Sequence, residues 1–128
     1  MGSVVLDADV VIGFLDAADA NHSRAVATVG PWLTGDHHVS ISASVYTEIL
    51  VRPLRSGTAA IVDDFVDAVP IEVVATNRGI ARRAAELRAT HRTLRLPDAL
   101  SLATALQQRA EFLTLDAKLR RIAQRAVT

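Results

Sequence analysis

Four acidic residues, spread over most of the chain, stand where one predicted element gives way to the next. Asp7 closes the apolar run Val4-Val5-Leu6, and Asp116 follows Phe112-Leu113-Thr114-Leu115. Glu48 lies one turn into a helix that starts directly from Val39-Ser40-Ile41-Ser42. Asp98 opens the helix that begins at Pro97. In an open α/β sheet the carboxyl ends of parallel strands share one rim, so residues far apart in sequence can meet there. Carboxylates at 4 Å repel by roughly 4 kcal/mol per pair at an effective dielectric of 20. A divalent cation removes that cost, and an all-oxygen ligand set suits Mg²⁺ or Mn²⁺. The chain has no cysteine and no serine in a Gly-x-Ser-x-Gly elbow, so no side chain stands out as a nucleophile. A water activated by the cation is then the natural one.

The elements that must position these acids alternate between strand and helix. Short β-branched runs predict strands at 4–6, 39–42, 71–74 and 112–115. Helices are predicted over about 10–17, 21–33, 44–52, 58–68, 76–90, 97–109 and 116–125. Pro53 is expected to end the third helix and Thr76 to cap the fifth. Ile61, Val62, Phe65, Val66 and Val69 make the buried stripe of the fourth, leaving Asp63, Asp64 and Asp67 as its solvated face. Strands spaced by helices predict a parallel α/β sheet in one domain, residues 1–128. A fifth strand is not visible, and residues 126–128 supply at most a stub.

Each acid also has a plainer reading. Asp7 or Asp9 can cap the helix that follows, but one cap position cannot hold both; Asp9 or Ala8 is expected near the cap, with Asp7 left for the site. A charge directly after an apolar strand is costly unless it is paired or bound to a cation. Glu48 can pair with Arg52 one turn on. Asp98 can simply answer the positive end of its helix, worth ~0.3–1 kcal/mol. Asp116 read alone is a helix cap, and Thr114 alternates with Leu113 and Leu115 so that its hydroxyl can face the same rim. His37 and His38 are adjacent and point to opposite faces of a strand, so they are not a chelating pair.

Composition narrows the alternatives. The formal net charge is zero, which is not the footprint of a strongly basic nucleic-acid binder. Charge is uneven, however: residues 1–72 carry a net of −7 and residues 73–128 a net of +7. Thirteen of the 14 basic residues are arginine, the better fork for phosphate. Arg52, Arg55, Arg92 and Arg95 lie nearest the acidic motifs and are either phosphate contacts or solvated surface residues. Five aromatic residues leave little for base stacking. No apolar run is long enough to span a membrane and no signal peptide is apparent. The lack of cysteine fits a reducing cytoplasm.

The joint pattern is more specific than any member. Val-Val-Leu-Asp-Ala-Asp-Val-Val-Ile at 4–12, Thr-Glu-Ile-Leu at 47–50 with Arg-Pro at 52–53, Leu-Pro-Asp-Ala-Leu-Ser-Leu-Ala-Thr-Ala at 96–105 and Phe-Leu-Thr-Leu-Asp at 112–116 resemble the PIN-domain nucleases. Within them they resemble the VapC-type toxins of bacterial toxin–antitoxin pairs. The resemblance implies a three-layer αβα sandwich around a parallel sheet of four to five strands. It puts Asp7, Glu48, Asp98 and Asp116 on the family's four acidic positions and Thr114 on its small hydroxyl position. It implies Mg²⁺-dependent hydrolysis of RNA leaving a 5′-phosphate, with Asp7, Asp98 and Asp116 as metal ligands and Glu48 completing the shell or orienting the water. Asp9 departs from the family's usual Ser, Thr or Asn; it adds charge to the site, holds a metal-bound water, or turns away. A homodimer and a VapB-like antitoxin partner are also implied, with the apolar helices at 21–33 and 44–68 offering a binding surface. Two rivals remain: a non-catalytic PIN-fold binding module, and a haloacid-dehalogenase-like phosphatase, whose Asp-x-Asp motif matches Asp7-Ala8-Asp9 but whose following Gly-Thr is here Val10-Val11.

Overall fold

The computed structural model describes residues 2–127. Four strands form: β1 (Ser3–Leu6), β2 (His38–Ser42), β3 (Ile71–Val74) and β4 (Glu111–Leu113). Seven helices join them: α1 (Ala8–Leu15), α2 (His22–Leu33), α3 (Ala43–Ser56), α4 (Ala59–Ala68), α5 (Arg78–Thr90), α6 (Leu96–Gln108) and α7 (Ala117–Val127). All strand pairs are parallel and the order is β3-β2-β1-β4.

Alternation along the strands builds two apolar layers. Val4, Leu6, Val39 and Ile41 pack with α1 to α4, through Val11, Val29, Val45 and Val62. On the other side α5, α6 and α7 pack through Ile80, Leu87, Leu102 and Ile122. Ser40 lies between Val39 and Ile41, and its hydroxyl donates to Gln108 Oε1 at the end of α6 (3.4 Å). The result is the αβα sandwich expected, with four strands among the described residues. Of the predicted stub, residues 126 and 127 belong to α7, and Thr128 lies outside the described residues. No helix is long and apolar enough to cross a membrane among the described residues.

The chain leaves β1 toward β2 and β3 on one side, and returns to β4 on the other. The strand order therefore reverses between β1 and β4, and in open α/β sheets ligands bind in the crevice at such a point. Asp7 ends β1 and Thr114 follows β4, so both stand at this crevice.

Three local expectations are corrected. Pro53 does not end α3, which runs on to Ser56. Proline lacks a donor but keeps its acceptor; the Pro53 carbonyl accepts the Gly57 and Thr58 amides, and Gly57, at φ 75°, makes the left-handed exit. Asn77, not Thr76, caps α5, its side chain accepting the Ile80 amide at 2.9 Å. β4 stops at Leu113: its carbonyl takes the Asp7 amide (2.9 Å) as the last bond to the β1 segment, which then turns into α1.

Candidate active site

Asp7 occupies the N-cap position of α1, with extended backbone, yet its side chain makes no capping bond. It turns into the crevice instead, where Oδ2 accepts the Thr114 hydroxyl at 2.9 Å. Asp9, in the first turn of α1, points to the same hydroxyl (3.2 Å) and accepts the Leu115 amide at 3.0 Å. The expectation of Asp9 or Ala8 near the cap is thus corrected: both lie inside the helix, and Asp9 faces the site. The Asp116 amide donates to the Thr114 oxygen (3.2 Å), which fixes that hydroxyl from behind.

One hydroxyl hydrogen cannot satisfy two carboxylates at once. Asp7 is 5% exposed. Burial first, and next the charge of Asp9, push its carboxyl up to about 7 from an ordinary value of 3.8. Asp9, Glu48 and Asp98 are all raised as well, burial being the largest cause for each. The charges are mutually felt: Asp98 raises Asp7, Asp9 raises Glu48, and Asp116 raises Asp9 and Asp98. Asp9 Oδ1 is buried with no hydrogen-bond partner.

Asp116 behaves differently. It is exposed and caps α7, Oδ1 accepting the Lys118 and Leu119 amides at 2.9 and 3.1 Å. Glu48 and Asp98 are half-buried and meet across Arg95, at 3.7 Å from Glu48 Oε2 and 4.0 Å from Asp98 Oδ2. Among the described residues no three acidic or histidine side chains converge at metal-ligating distance.

Of the four arginines singled out by position, Arg95 enters the site. Arg52 lines a groove of about 340 Å³ beside Glu48, together with Ile12, Ile49, Pro53 and Ile61. Arg55 and Arg92 are exposed and form no ion pair among the described residues. Sequence reasoning missed two other cations. Arg24 reaches from α2 to the Leu115 carbonyl (3.3 Å), and Arg120 to the Thr114 carbonyl (2.9 Å). Neither lies in an acidic motif, so only the tertiary fold reveals them. Three histidines are engaged elsewhere: His22 Nδ1 donates to the Gly13 carbonyl (2.8 Å), His38 meets Glu72 (2.7 Å), and the His37 ring lies tilted against Trp32.

The donor set fits a hard divalent cation. It is all carboxylate and hydroxyl oxygen, burial and then neighbouring charge raise the Asp7 carboxyl, and it includes an orphaned buried oxygen on Asp9. A family model described as "PIN domain" matches residues 4–125. No curated protein matches the chain. Among solved structures, a toxin–antitoxin complex from Klebsiella pneumoniae is 23% identical at TM-score 0.69, covering 90% of this chain and 88% of that one. VapC20 of Mycobacterium tuberculosis, described as a sarcin-ricin loop cleaving toxin, is 20% identical at TM-score 0.73 (92% and 93%). VapBC2 from Rickettsia felis, bound to a promoter DNA fragment, is 15% identical at TM-score 0.73 (94% and 92%).

Proposed function

The chain belongs to the PIN-domain family, and on that premise we propose that it is a Mg²⁺-dependent endoribonuclease, the VapC-type toxin of a toxin–antitoxin pair. The observation that carries the reading is the crevice at the strand-order reversal, where Asp7 and Asp9 share the Thr114 hydroxyl and feel Asp98 and Asp116. Asp7, Asp98 and Asp116 would hold Mg²⁺ or Mn²⁺. A bound ion would supply a more acidic water and neutralise phosphate charge. Thr114 holds Asp7 and Asp9 in register through its hydroxyl. Asp9, with one oxygen fixed by the Leu115 amide and the other free, adds a fifth negative charge to the pocket.

Glu48 suits the proton-handling role. Burial raises its carboxyl and Arg95 offsets part of that rise. A carboxylate closer to neutrality is a better general base at neutral pH. Glu48 would orient the attacking water and take its proton as the phosphodiester opens to a 5′-phosphate and a 3′-hydroxyl. Cations at the rim draw in the RNA backbone: Arg24 and Arg120 are already held against the Leu115 and Thr114 carbonyls.

An antitoxin partner belongs to the same reading. Ile12, Val51, Leu54 and Ile61 are large, apolar and at least 39% exposed, and Ile12 and Ile61 flank the groove that opens at Glu48. Exposed apolar surface of this kind marks a protein interface. A VapB-like segment lying there would cover Glu48, and a homodimer in the cytoplasm completes the proposal.

The test is incubation of purified protein with total cellular RNA and mapping of new 5′ ends. Discrete cuts carrying 5′-phosphate are expected with Mg²⁺, and none with EDTA or with Asp98→Ala. The same variant should relieve growth arrest when expressed without its partner. No cleavage in Mg²⁺ or Mn²⁺ would overturn the reading in favour of a binding module, and equal cleavage by Asp98→Ala would overturn the assignment of the site.

A further inference from the structure

Arg95 is the one arginine in ion-pair contact with two of the site's acids among the described residues, and it joins two elements: Glu48 on α3 and Asp98 on α6. Its backbone is fixed on every side. Arg95 holds the N-cap position of α6, and its carbonyl accepts the Ala99 amide at 3.0 Å. Leu94 is buried beside it and its carbonyl takes Arg88 Nε at 3.1 Å; Thr93 is tied to the Lys118 ammonium. The pivot is rigid while the side chain is 68% exposed.

The contacts are also loose. Charge-assisted N–H···O⁻ hydrogen bonds run about 2.7–2.9 Å, whereas Arg95 stands 3.7 and 4.0 Å from its two oxygens. These are Coulombic contacts without hydrogen-bond geometry, so they are cheap to exchange.

We propose that Arg95 is a tethered counter-cation: it sits between Glu48 and Asp98 when no divalent ion is bound, gives up those carboxylates as the ion loads, and is then free at the rim to take an RNA phosphate. The proposal rests on the metal-dependent reading above and adds an exchange that the reading does not require. Arg95 acts here on metal loading and on substrate binding through its charge. Its cost is a weaker hold on the ion, because one unit positive charge repels a divalent cation across a half-exposed site. Its benefit is that the acids stay compatible before loading.

Calorimetric titration of metal-free protein with Mn²⁺ tests this without any turnover. Arg95→Gln is expected to bind Mn²⁺ about fivefold more tightly than wild type, the order of one screened unit charge acting on a divalent ion. Arg95→Lys, which keeps the charge, should bind like wild type, and Arg82→Gln on the exposed face of α5 should not change affinity. In cleavage assays at saturating Mn²⁺, Arg95→Gln should raise KM for RNA by a larger factor than it lowers kcat, with Arg95→Lys restoring most of the loss. Equal or weaker Mn²⁺ affinity in Arg95→Gln overturns the exchange while leaving the metal reading intact. No Mn²⁺ binding by the wild type overturns both.

Discussion

Two aspartates follow two neighbouring strands, and the fold uses them in opposite ways. At the β1–α1 junction Asp7 holds a cap position and declines to cap. It is buried, shares a hydroxyl with Asp9, and its carboxyl is pushed up to about 7. At the β4–α7 junction Asp116 is exposed and caps its helix with two backbone bonds. A side-chain cap is worth roughly 0.5–2 kcal/mol. Asp116 contributes that stability and still presents its charge to the crevice, whereas Asp7 forgoes it and adds desolvation. A local rule broken without local compensation is expected at functional or strained positions, and on the proposed reading the contrast separates the deepest member of the site from one that is also structural.

The largest expected effect comes from Asp7→Asn. Cleavage should fall by on the order of 10²–10³-fold or more, while metal-free protein becomes more stable, since a buried charge is removed. Cleavage assays and urea denaturation of the same preparation read both; a destabilised variant would break the contrast. Thr114→Val comes next: it keeps the shape and removes the hydroxyl that registers Asp7 and Asp9. Mn²⁺ affinity should drop by about 10-fold, and calorimetry reads it.

The contrast also predicts a pH dependence. The Asp7 carboxyl titrates higher in the fold than its ordinary 3.8, so the folded state holds the proton more tightly than the unfolded chain. That contribution is complete below about pH 4 and is lost as pH rises through about 7. Asp9, Glu48 and Asp98 shift in the same direction. Metal-free wild type should therefore lose stability across this window, Asp7→Asn should lose less, and Mn²⁺ should restore more stability near pH 8 than near pH 5. Denaturation midpoints that stay flat or rise with pH would contradict it. The smallest effect on stability belongs to the other junction: Asp116→Ala should cost about 1 kcal/mol through the lost cap, opposite in sign to the Asp7 result, while cleavage is lost as well. Asn77→Ala, which uncaps α5 away from the crevice, should cost about the same in denaturation and leave cleavage unchanged.

Much of this was legible in the sequence, because the strong signals are periodic or chemical. Strand–helix alternation, the apolar stripes and the acids at element boundaries follow from residue type and spacing. What stayed hidden depended on tertiary partners. Pro53 reads as a stop from its missing donor, but its carbonyl anchors the C-cap that Gly57 completes. Asp9 reads as a cap until β4 brings the Leu115 amide and Thr114 hydroxyl to it. Leu115 reads as strand, yet the ladder stops where Asp7 takes the Leu113 carbonyl. Arg24 has no local signal at all; only the packing of α2 carries it to Leu115.

The central claim is that acids from β1, α6 and the segment after β4 gather around one divalent ion. An anomalous-difference map from crystals grown with Mn²⁺ tests it most directly. The account predicts a strong peak within about 2.1–2.2 Å of oxygens from at least two of Asp7, Asp98 and Asp116. A map with Mn²⁺ bound elsewhere on the surface and none between β1 and β4 would contradict it.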